Sequence, residues 1–536
     1  MSHTLEACAP SAFLKTEGMI PTDHSETVKN RVRASPFLVG VATSGYQCEG
    51  GYNGPGQPQN NWAAHERAGK VARTGLVTDF WNRYREDFDL CRGIGLNSFR
   101  LSIEWSRVQP DGAAFDCGAM DAYADRIAAC RLAGMEPIVT LQHFTHPAWL
   151  GVDAWLQDST PGLFERFVLE TLRRVNEQLG DRHGQPPVAW YVTLNEPNML
   201  VLNTYLNRHF PGGPKAGISV GIRAYNRLLA AHVRAYNAIH DLYESKNWPR
   251  PQVTMNTFCS DVYWSEHLLL DLLCLRENGI PGKAAPEYFA GRADAMRRSL
   301  ASANLALRSD LLAIVGRTLH GMANFFVSRA VTSEVFSYFL DSAARSKRSQ
   351  TLDFLGLDYY DPFLSHIFRP PGFSDLEFPS GSLHGHLMNG LSSKWWDWHI
   401  LPGGLHAFCD YYSRAFPGRG ILIAENGMAQ RCKVDNKISG VRRDRVTRSE
   451  FLDAHLREVR RMLDDNLPIL GYLHWSLTDN YEWGSFTPRF GLFRVDYAHD
   501  LRRVAEDHLG DNPSKTYARL IQELRLRSLF LPAQPE

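Results

Sequence analysis

The chain has 536 residues, and its 58 lysines and arginines balance its 58 aspartates and glutamates, so its formal net charge at pH 7 is zero. This balance gives no electrostatic reason to bind nucleic acid or an anionic membrane surface, and we expect a neutral partner. The length is enough for several average domains, but a single α/β barrel with long insertions also reaches it.

The nine cysteines are scattered singly, with no CxxC pair and no metal-ligand spacing. An odd count without pairs fits reduced thiols in the cytosol and gives no indication of a bound metal. The N-terminal residues lack the basic and apolar regions of a signal peptide, and no stretch reaches about 18 consecutive apolar residues. We therefore predict a soluble, unexported protein located in the cytoplasm.

Residues 1–34 are polar and irregular, and we interpret them as a tail or a strap over the rest of the chain. From residue 35 to about residue 530, apolar runs of strand length alternate with segments of helical periodicity. The predicted strands are Phe37–Thr43, Ser98–Ile103, Pro137–Gln142, Val188–Leu194, Gln252–Thr257, Asp353–Asp358, Ile421–Ala424 and Ile469–His474. Eight strands separated by helices predict one (β/α)₈ TIM barrel of the α/β class with long βα loops. Periodicity alone leaves a doubly wound open sheet as the alternative.

A helical insertion is predicted at about residues 265–350, between the fifth and sixth strands. Leu311, Val315, Leu319 and Phe326 recur there at helical spacing, with basic residues interspersed. The favoured interpretation is one or two helices packed on the barrel flank. The alternative is an amphipathic cover that contacts a membrane, an acyl chain or a partner protein.

Two glutamates lie at predicted strand ends that are far apart in the chain. Glu196 follows the fourth predicted strand and precedes Pro197, which cannot extend a central strand. Glu425 follows the seventh strand and precedes an Asn-Gly turn dipeptide. The carboxyl ends of parallel strands meet at one face of a barrel, so the two carboxylates can converge. Either one alone could be a solvated loop carboxylate, but together they predict the facing pair that a glycosidase needs.

Polar and aromatic side chains lie at the ends of nearly all the predicted strands. They are Gln47, Arg100, His143, Asn195, Tyr359, Tyr360, Trp475, Glu482 and Trp483. A sugar needs this mixture, because its apolar ring face stacks on an aromatic plane while its hydroxyls exchange hydrogen bonds with polar groups. Each residue also has a structural interpretation: His143 as a core histidine, Arg100 as an ion-pair partner, and the tryptophans as core packing. Their shared position favours sugar binding.

Longer motifs surround these residues. They are Phe37–Gly51, Phe99–Arg107, His474–Trp483 and Arg489–Leu492. Together with the two glutamate motifs, they make the chain similar, from Phe37 to about Tyr497, to the retaining β-glycosidases of glycoside hydrolase family 1, whose members are (β/α)₈ barrels. The resemblance implies that Glu196 is the general acid/base and that Glu425 is the nucleophile.

The resemblance also implies roles for the residues around the pair. Arg100 would lower the pKa of the nucleophile, Tyr360 would donate a hydrogen bond to it, and Asn195 would hold the sugar 2-hydroxyl. Trp475 would form the stacking floor, and no metal or cofactor is expected. The predicted substrate-binding set is Gln47, His143, Phe144, Asn195, Trp398, Trp475, Glu482, Trp483 and Phe486.

The chain departs from the family pattern at several positions. Phe144 stands where members commonly have Trp, which removes an indole NH near the sugar. Asp358 stands where the sixth strand usually has Asn, and a third ionised carboxylate there would raise the pKa of the acid. The segment 484–489 is about one residue shorter than usual, which leaves specificity at the sugar 6-position open. Glu482 argues against a 6-phosphosugar, because a carboxylate repels a phosphate.

These observations predict a retaining exo-β-glycosidase, similar to β-glucosidases, that hydrolyses unphosphorylated β-glycosides by double displacement. Its two carboxyl groups should stand about 5 to 5.5 Å apart, rather than the roughly 6.5 to 9.5 Å of inverting enzymes. Transglycosylation with the same glutamates is one alternative, and an inactive sugar-binding or scaffold barrel is another. The sequence does not identify the sugar, the aglycone or the oligomeric state.

Overall fold

The computed structural model describes residues 37–307, 311–330, 333–360, 400–432, 438–440, 442 and 444–528. The predicted tail or strap, residues 1–34, and the predicted substrate-binding residue Trp398 lie outside the described residues. The described part contains all eight predicted strands and most of the predicted insertion.

Eight parallel strands form a closed barrel. The described part of the chain has thirteen strands in all, counting those outside the barrel. In chain order they are β1 (Leu38–Ala42), β2 (Ser98–Ser102), β3 (Glu136–Thr140), β4 (Trp190–Asn195), β5 (Gln252–Phe258), β6 (Leu355–Tyr359), β7 (Ile421–Asn426), β8 (Gln430–Cys432), β9 (Ile438–Gly440), β10 (Ile469–Trp475), β11 (Pro488–Arg489), β12 (Arg494–Val495) and β13 (Arg503–Val504). The barrel consists of β1 to β7 and β10, and β10 closes it by pairing with both β7 and β1. The barrel prediction is therefore confirmed over the open sheet, with strand ends that differ from the prediction by at most two residues.

Helices surround the barrel and follow its strands. They are α1 (Gly45–Cys48), α2 (Ala63–Arg67), α3 (Phe80–Gly93), α4 (Trp105–Val108), α5 (Cys117–Leu132), α6 (Thr160–His183), α7 (Pro197–Val201), α8 (Ile218–Ser245), α9 (His267–Cys274), α10 (Ala285–Ser302), α11 (Leu311–Ala330), α12 (Ser337–Ala344), α13 (Pro402–Ala415), α14 (Arg448–Asp464) and α15 (Pro513–Ser528). Strands covered by helices on one side and by the barrel interior on the other are buried on both faces, so β7 is buried along its whole length. Local sequence also fixes helix starts: Thr447 and Glu450 form a capping box before α14.

The pairing of the strands brings the predicted site residues to one end of the barrel. Asp358 of β6 lies beside Glu425 of β7, and Asn195 of β4 lies beside Asn256 of β5. Both pairs follow directly after a shift in strand register. Such irregularities re-aim the side chains that come after them, and here they occur where the strands end at the candidate site.

The helices of the predicted insertion differ in burial. Helix α9 is buried along its whole length, α10 buries Phe289 and Met296, and α12 buries Phe339. These helices pack as the flank interpretation predicts. Helix α11 differs, because the apolar residues that recur along it are largely exposed.

Asn324 of helix α11 is hydrogen-bonded to the segment that follows β5. Asn324 donates from Nδ2 to the Asp261 carbonyl at 2.8 Å and accepts from the Tyr263 backbone N–H at 3.1 Å. Leu319 and Phe326 are 49% and 63% exposed. No helix in the described part of the chain is long and apolar enough to cross a membrane. Contact of this helix with a membrane surface, an acyl chain or a partner protein stays a prediction.

Liposome flotation tests the membrane form of this prediction. If the exposed face of α11 enters a bilayer surface, the intact protein should float with liposomes, and a Leu319→Ser/Phe326→Ser variant should not. Thermal unfolding of the variant should match that of the wild type, because both side chains are largely exposed. If the wild type stays at the bottom of the gradient, membrane contact through α11 is wrong.

Candidate active site

Glu196 and Glu425 lie together at the carboxyl end of the barrel. Glu196 follows β4 and precedes α7 with φ 39° and ψ 61°, a left-handed conformation that is uncommon for residues other than glycine. Pro197 suits the first position of α7, because no backbone N–H is needed there. Glu425 is the penultimate residue of β7. One carboxylate oxygen from each of Glu196, Glu425 and Asp358 lies within 4.8 Å of the other two.

Two donors hold the carboxylate of Glu425. Arg100 Nη1 donates to Glu425 Oε1 at 2.6 Å, and the Tyr360 hydroxyl donates to Oε2 at 2.8 Å. Arg100 is fully buried, so this ion pair is shielded from solvent. Burial raises the pKa of Glu425, while the charge of Arg100 and the hydrogen bond from Tyr360 oppose the rise. Both oxygens of this carboxylate are therefore oriented by donors that favour its ionised form.

Glu196 has a different environment. Among the described residues, it forms no ion pair with a cation, and it is 6% exposed. Burial and the negative charge of Glu425 raise the pKa of Glu196 well above its ordinary value. We therefore assign the proton to Glu196 and the negative charge to Glu425, the division that an acid and a nucleophile require.

The amide of Asn195 has a fixed orientation beside the pair. Its Oδ1 accepts hydrogen bonds from Arg100 Nη2 at 2.5 Å and from Asn256 Nδ2 at 2.8 Å. Its Nδ2 lies 3.3 Å from His143 Nε2. Burial and the charge of Arg100 lower the pKa of His143 well below its ordinary value, so a neutral imidazole accepts this hydrogen bond. The protein uses the amide oxygen, and one N–H of Asn195 is left for a ligand.

Asp358 is buried beside the two glutamates. Its Oδ2 accepts a hydrogen bond from Asn256 Nδ2, and its Oδ1 has no donor among the described residues. Burial and the charges of Glu425 and Glu196 raise the pKa of Asp358 well above its ordinary value. The third carboxyl group that the sequence suggested therefore lies close enough to Glu196 and Glu425 to interact with both electrostatically.

The three carboxyl groups are also the described side chains whose positions could hold a metal ion. Their oxygens would suit a hard cation such as Mg²⁺ or Ca²⁺. Arg100 already supplies a positive charge at Glu425. The expectation that the reaction needs neither metal nor cofactor stays a prediction.

The predicted sugar-binding residues lie close to one another. Trp475 Nε1 donates to Glu482 Oε1 at 3.0 Å, and the His143 ring stacks on Trp475 and Trp483 with centroid separations of 5.6 and 5.8 Å. Gln47 Nε2 and His143 Nδ1 are buried without a partner among the described residues. A buried donor left unpaired is costly, so these two atoms indicate where ligand hydroxyls bind.

Two further predicted binding residues have different surroundings. Phe144 packs against Trp483 with ring centroids 4.9 Å apart, which makes it part of the aromatic wall. The ring of Phe486 instead packs edge-on against Tyr481 and Tyr497. Phe486 thus supports the loop that carries Glu482, and its contact with a substrate stays a prediction.

Sequence reasoning missed Asn256, which connects two parts of the site. Its single Nδ2 donates both to Asn195 Oδ1 and to Asp358 Oδ2, and the residue is fully buried. The only signal was an amide residue near the carboxyl end of a predicted strand. Asn256 therefore fixes the position of the third carboxyl group relative to the amide beside the acid.

The chain is similar in sequence to known proteins. The family model described as glycosyl hydrolase family 1 matches residues 29–258 and 294–511. A furostanol glycoside 26-O-beta-glucosidase of Hellenia speciosa is 27% identical over 504 residues, which cover 88% of this chain and 80% of that protein. A 6-phospho-beta-galactosidase of Clostridium acetobutylicum is 27% identical over 480 residues, 86% of this chain and 92% of that protein. A bifunctional beta-D-glucosidase/beta-D-fucosidase of Bifidobacterium breve is 27% identical over 499 residues, 88% and 95% of the two chains.

Solved structures show the same fold. A beta-glucosidase from Thermotoga maritima in complex with castanospermine superposes with a TM-score of 0.61 and 21% sequence identity, covering 91% of this chain and 97% of that chain. A beta-glycosidase from Pyrococcus horikoshii superposes with a TM-score of 0.59 and 24% identity, covering 93% and 97%.

Proposed function

The chain belongs to glycosyl hydrolase family 1 and is a glycoside hydrolase, and from this premise we propose that it is a retaining exo-β-glycosidase that hydrolyses unphosphorylated β-glycosides. The observation that carries the proposal is the unequal environment of the two glutamates: Arg100 and Tyr360 hold Glu425, and no cation among the described residues holds Glu196. One oxygen of Glu196 and one oxygen of Glu425 lie within 4.8 Å of each other. Such close oxygens are compatible with the separation of about 5 to 5.5 Å between the carboxyl groups of retaining enzymes.

In the first step of the proposed reaction, a Glu425 oxygen attacks the anomeric carbon. The bond from that carbon to the glycosidic oxygen breaks, and Glu196 gives its proton to the departing oxygen. The N–H of Asn195 that the protein leaves free is positioned for the sugar 2-hydroxyl, an interaction that strengthens as positive charge develops on the ring.

In the second step, water replaces Glu425 at the anomeric carbon. The negative charge of Glu425 disappears when its ester forms, which removes the main nearby charge that raises the pKa of Glu196. Glu196 can then stay ionised and accept a proton from the attacking water. Two displacements restore the original β configuration.

The proposed sugar is glucose or a close relative, and the enzyme is proposed to act as a β-glucosidase. This rests on the printed activities of the relatives, several of which are beta-glucosidases at 26–28% identity. The fully assembled set of donors around Glu425 also argues against an inactive sugar-binding barrel. A panel of nitrophenyl β-glycosides of glucose, galactose, fucose, mannose and xylose tests the proposal. Absence of hydrolysis across the panel would contradict it.

We expect discrimination against 6-phosphorylated sugars, and the expectation rests on Glu482. Burial raises the pKa of Glu482 to about 8, and Trp475 is its hydrogen-bond donor. As the pH rises through that value, Glu482 ionises and its repulsion of a phosphate grows. The ratio of kcat/KM for a glucoside to that for its 6-phosphate should therefore increase between pH 7 and 9, by up to about tenfold.

A Glu482→Gln variant supplies the control for this expectation. Glutamine keeps an oxygen to accept from Trp475 but has no charge to gain, so the pH dependence of the ratio should disappear. A wild type that prefers the 6-phosphoglucoside would show that Glu482 does not set this specificity.

A further inference from the structure

The candidate site contains more acidic groups than its fixed cation can balance. Glu196, Asp358 and Glu425 are buried with one oxygen each within 4.8 Å of the others. Arg100 is the cation among them, and its Nη1 is bound to Glu425. Three ionised carboxylates would place two uncompensated negative charges in a dry site, a costly arrangement. At least one carboxyl group near Glu425 must therefore keep a proton.

The surroundings of Asp358 limit where that proton can be. From β5, Asn256 donates to Oδ2, so this oxygen already acts as an acceptor. The titratable or charged groups that act on Asp358 from the neighbouring strands are Glu425 on β7, Glu196 after β4 and Arg100 on β2. Among the described residues, Oδ1 has no donor. A hydrogen bond between Asp358 and Glu196 raises the pKa of Asp358 and lowers the pKa of Glu196, so the two carboxyl groups compete for one proton.

We propose that Asp358 and Glu196 share a proton across facing carboxyl oxygens, so that this pair, rather than Glu196 alone, is the acid/base of the enzyme. The inference rests on the proposed function. Asp358 is then a positioning residue: it acts through Glu196, and it keeps a proton on the pair over a wider pH range. Two like-charged carboxyl groups at such a distance release their second proton only at a higher pH than either would alone.

The proton count is balanced through both steps. Before reaction, Glu425 carries one negative charge and the shared pair carries one. When Glu425 bonds to the anomeric carbon and the glycosidic bond breaks, the proton of the pair leaves with the departing oxygen, so the pair carries both charges. In the second step water gives a proton back to the pair, its oxygen bonds to the anomeric carbon, and Glu425 recovers its charge. The three groups hold two negative charges throughout, and the pair of ionised carboxylates is a stronger base than Glu196 alone.

The test compares the pH profile of kcat/KM for the wild type and the Asp358→Asn variant with a nitrophenyl β-glucoside. Asparagine keeps an oxygen that accepts from Asn256 but cannot ionise, so Glu196 loses its proton without repulsion from a second carboxylate. The alkaline limb of the profile, where activity falls as the acid loses its proton, should therefore move to lower pH by about one unit or more. Above the new limb, the variant should lose more activity toward phenyl than toward dinitrophenyl glucosides, because a good leaving group needs less proton donation. An Asp358→Ser variant should show the same shift, and it separates loss of the carboxyl group from gain of an amide donor.

A matched control is an aspartate near the amino end of β6, away from the candidate site. Asp353 precedes β6, has a side chain that is 5% exposed, and pairs with His240 and Arg250. Asp353→Asn should lower the thermal stability and leave the alkaline limb in place. If the wild type is active and the alkaline limb does not move in either Asp358 variant, the shared proton is wrong and the proposed function stands. A wild type without activity on any nitrophenyl glycoside overturns the proposed function, and the shared proton with it.

Discussion

Replacing Glu425 by alanine should lower kcat/KM toward nitrophenyl β-glucosides by about 10⁴-fold or more, because it removes the carboxylate proposed to form the covalent bond to the sugar. The loss should be largest in kcat, since Glu425 bonds to the sugar only as the reaction proceeds. Added azide should restore part of the turnover by occupying the space of the missing carboxylate, and the product should be an α-glycosyl azide, the outcome of a single displacement. Steady-state kinetics and product NMR measure both effects.

Two matched variants make the Glu425 result interpretable. Alanine leaves the fully buried Arg100 without its ion-pair partner, which is destabilising in itself. Glu425→Gln retains an oxygen for Arg100 and Tyr360, so it should lose activity to a similar extent with a smaller loss of thermal stability. Glu170→Ala, on the exposed side of α6, should behave as the wild type. Turnover that persists in Glu425→Ala without azide would exclude the proposed nucleophile.

The barrel could be predicted because its strands leave a simple pattern in the sequence. Strands that are buried on both faces read as short apolar runs, and eight such runs were found. The ends were less accurate where polar residues continue a strand. Asn426 looked like the start of a turn, yet it lies within β7. Its amide donates to the Tyr359 carbonyl at 2.6 Å and accepts from the Tyr472 hydroxyl at 2.7 Å, so its polar groups are satisfied inside the fold.

The site was predicted where residues carry a motif and missed where they act through a neighbour. Glu196, Glu425 and Arg100 end or lie in strands with recognisable patterns, and the structure brings them together. Asn256 carries no motif, since its role depends on strands β4 and β6 lying on either side of it. Phe486 is harder to interpret from sequence, because an aromatic residue in a sugar-binding loop can also support that loop, as its packing on Tyr481 and Tyr497 does here.

The predicted insertion shows that the helical spacing of apolar residues does not tell whether a helix is buried. Helices α9 and α11 both carry apolar residues at helical spacing, but α9 is fully buried and much of the apolar face of α11 is exposed. Periodicity reports that a helix has an apolar face and says nothing about what covers that face. The distinction requires the positions of the neighbouring elements.

Replacing Glu196 by alanine should give a loss that depends on the leaving group. Burial and Glu425 raise the pKa of Glu196 well above its ordinary value, so the wild type keeps its proton donor at neutral pH and loses activity as the pH rises through that pKa. Without Glu196, kcat/KM for phenyl or alkyl β-glucosides should fall by about 10²- to 10⁴-fold, the usual contribution of a general acid. The loss for dinitrophenyl glucosides should be much smaller in the first step, because their leaving group departs without a proton.

The pH profile and the response to azide then separate Glu196 from Glu425. Glu196→Ala should lose the alkaline limb, because the group whose deprotonation causes it is absent, while the acid limb set by protonation of Glu425 should persist. Azide should accelerate turnover of the glycosyl-enzyme and give a β-glycosyl azide, opposite in configuration to the product of the Glu425 variant. Equal losses for phenyl and dinitrophenyl glucosides, with the alkaline limb intact, would assign the proton transfer to another residue. The two azide products together test the order of the two glutamates, because exchanging their roles would exchange the configurations.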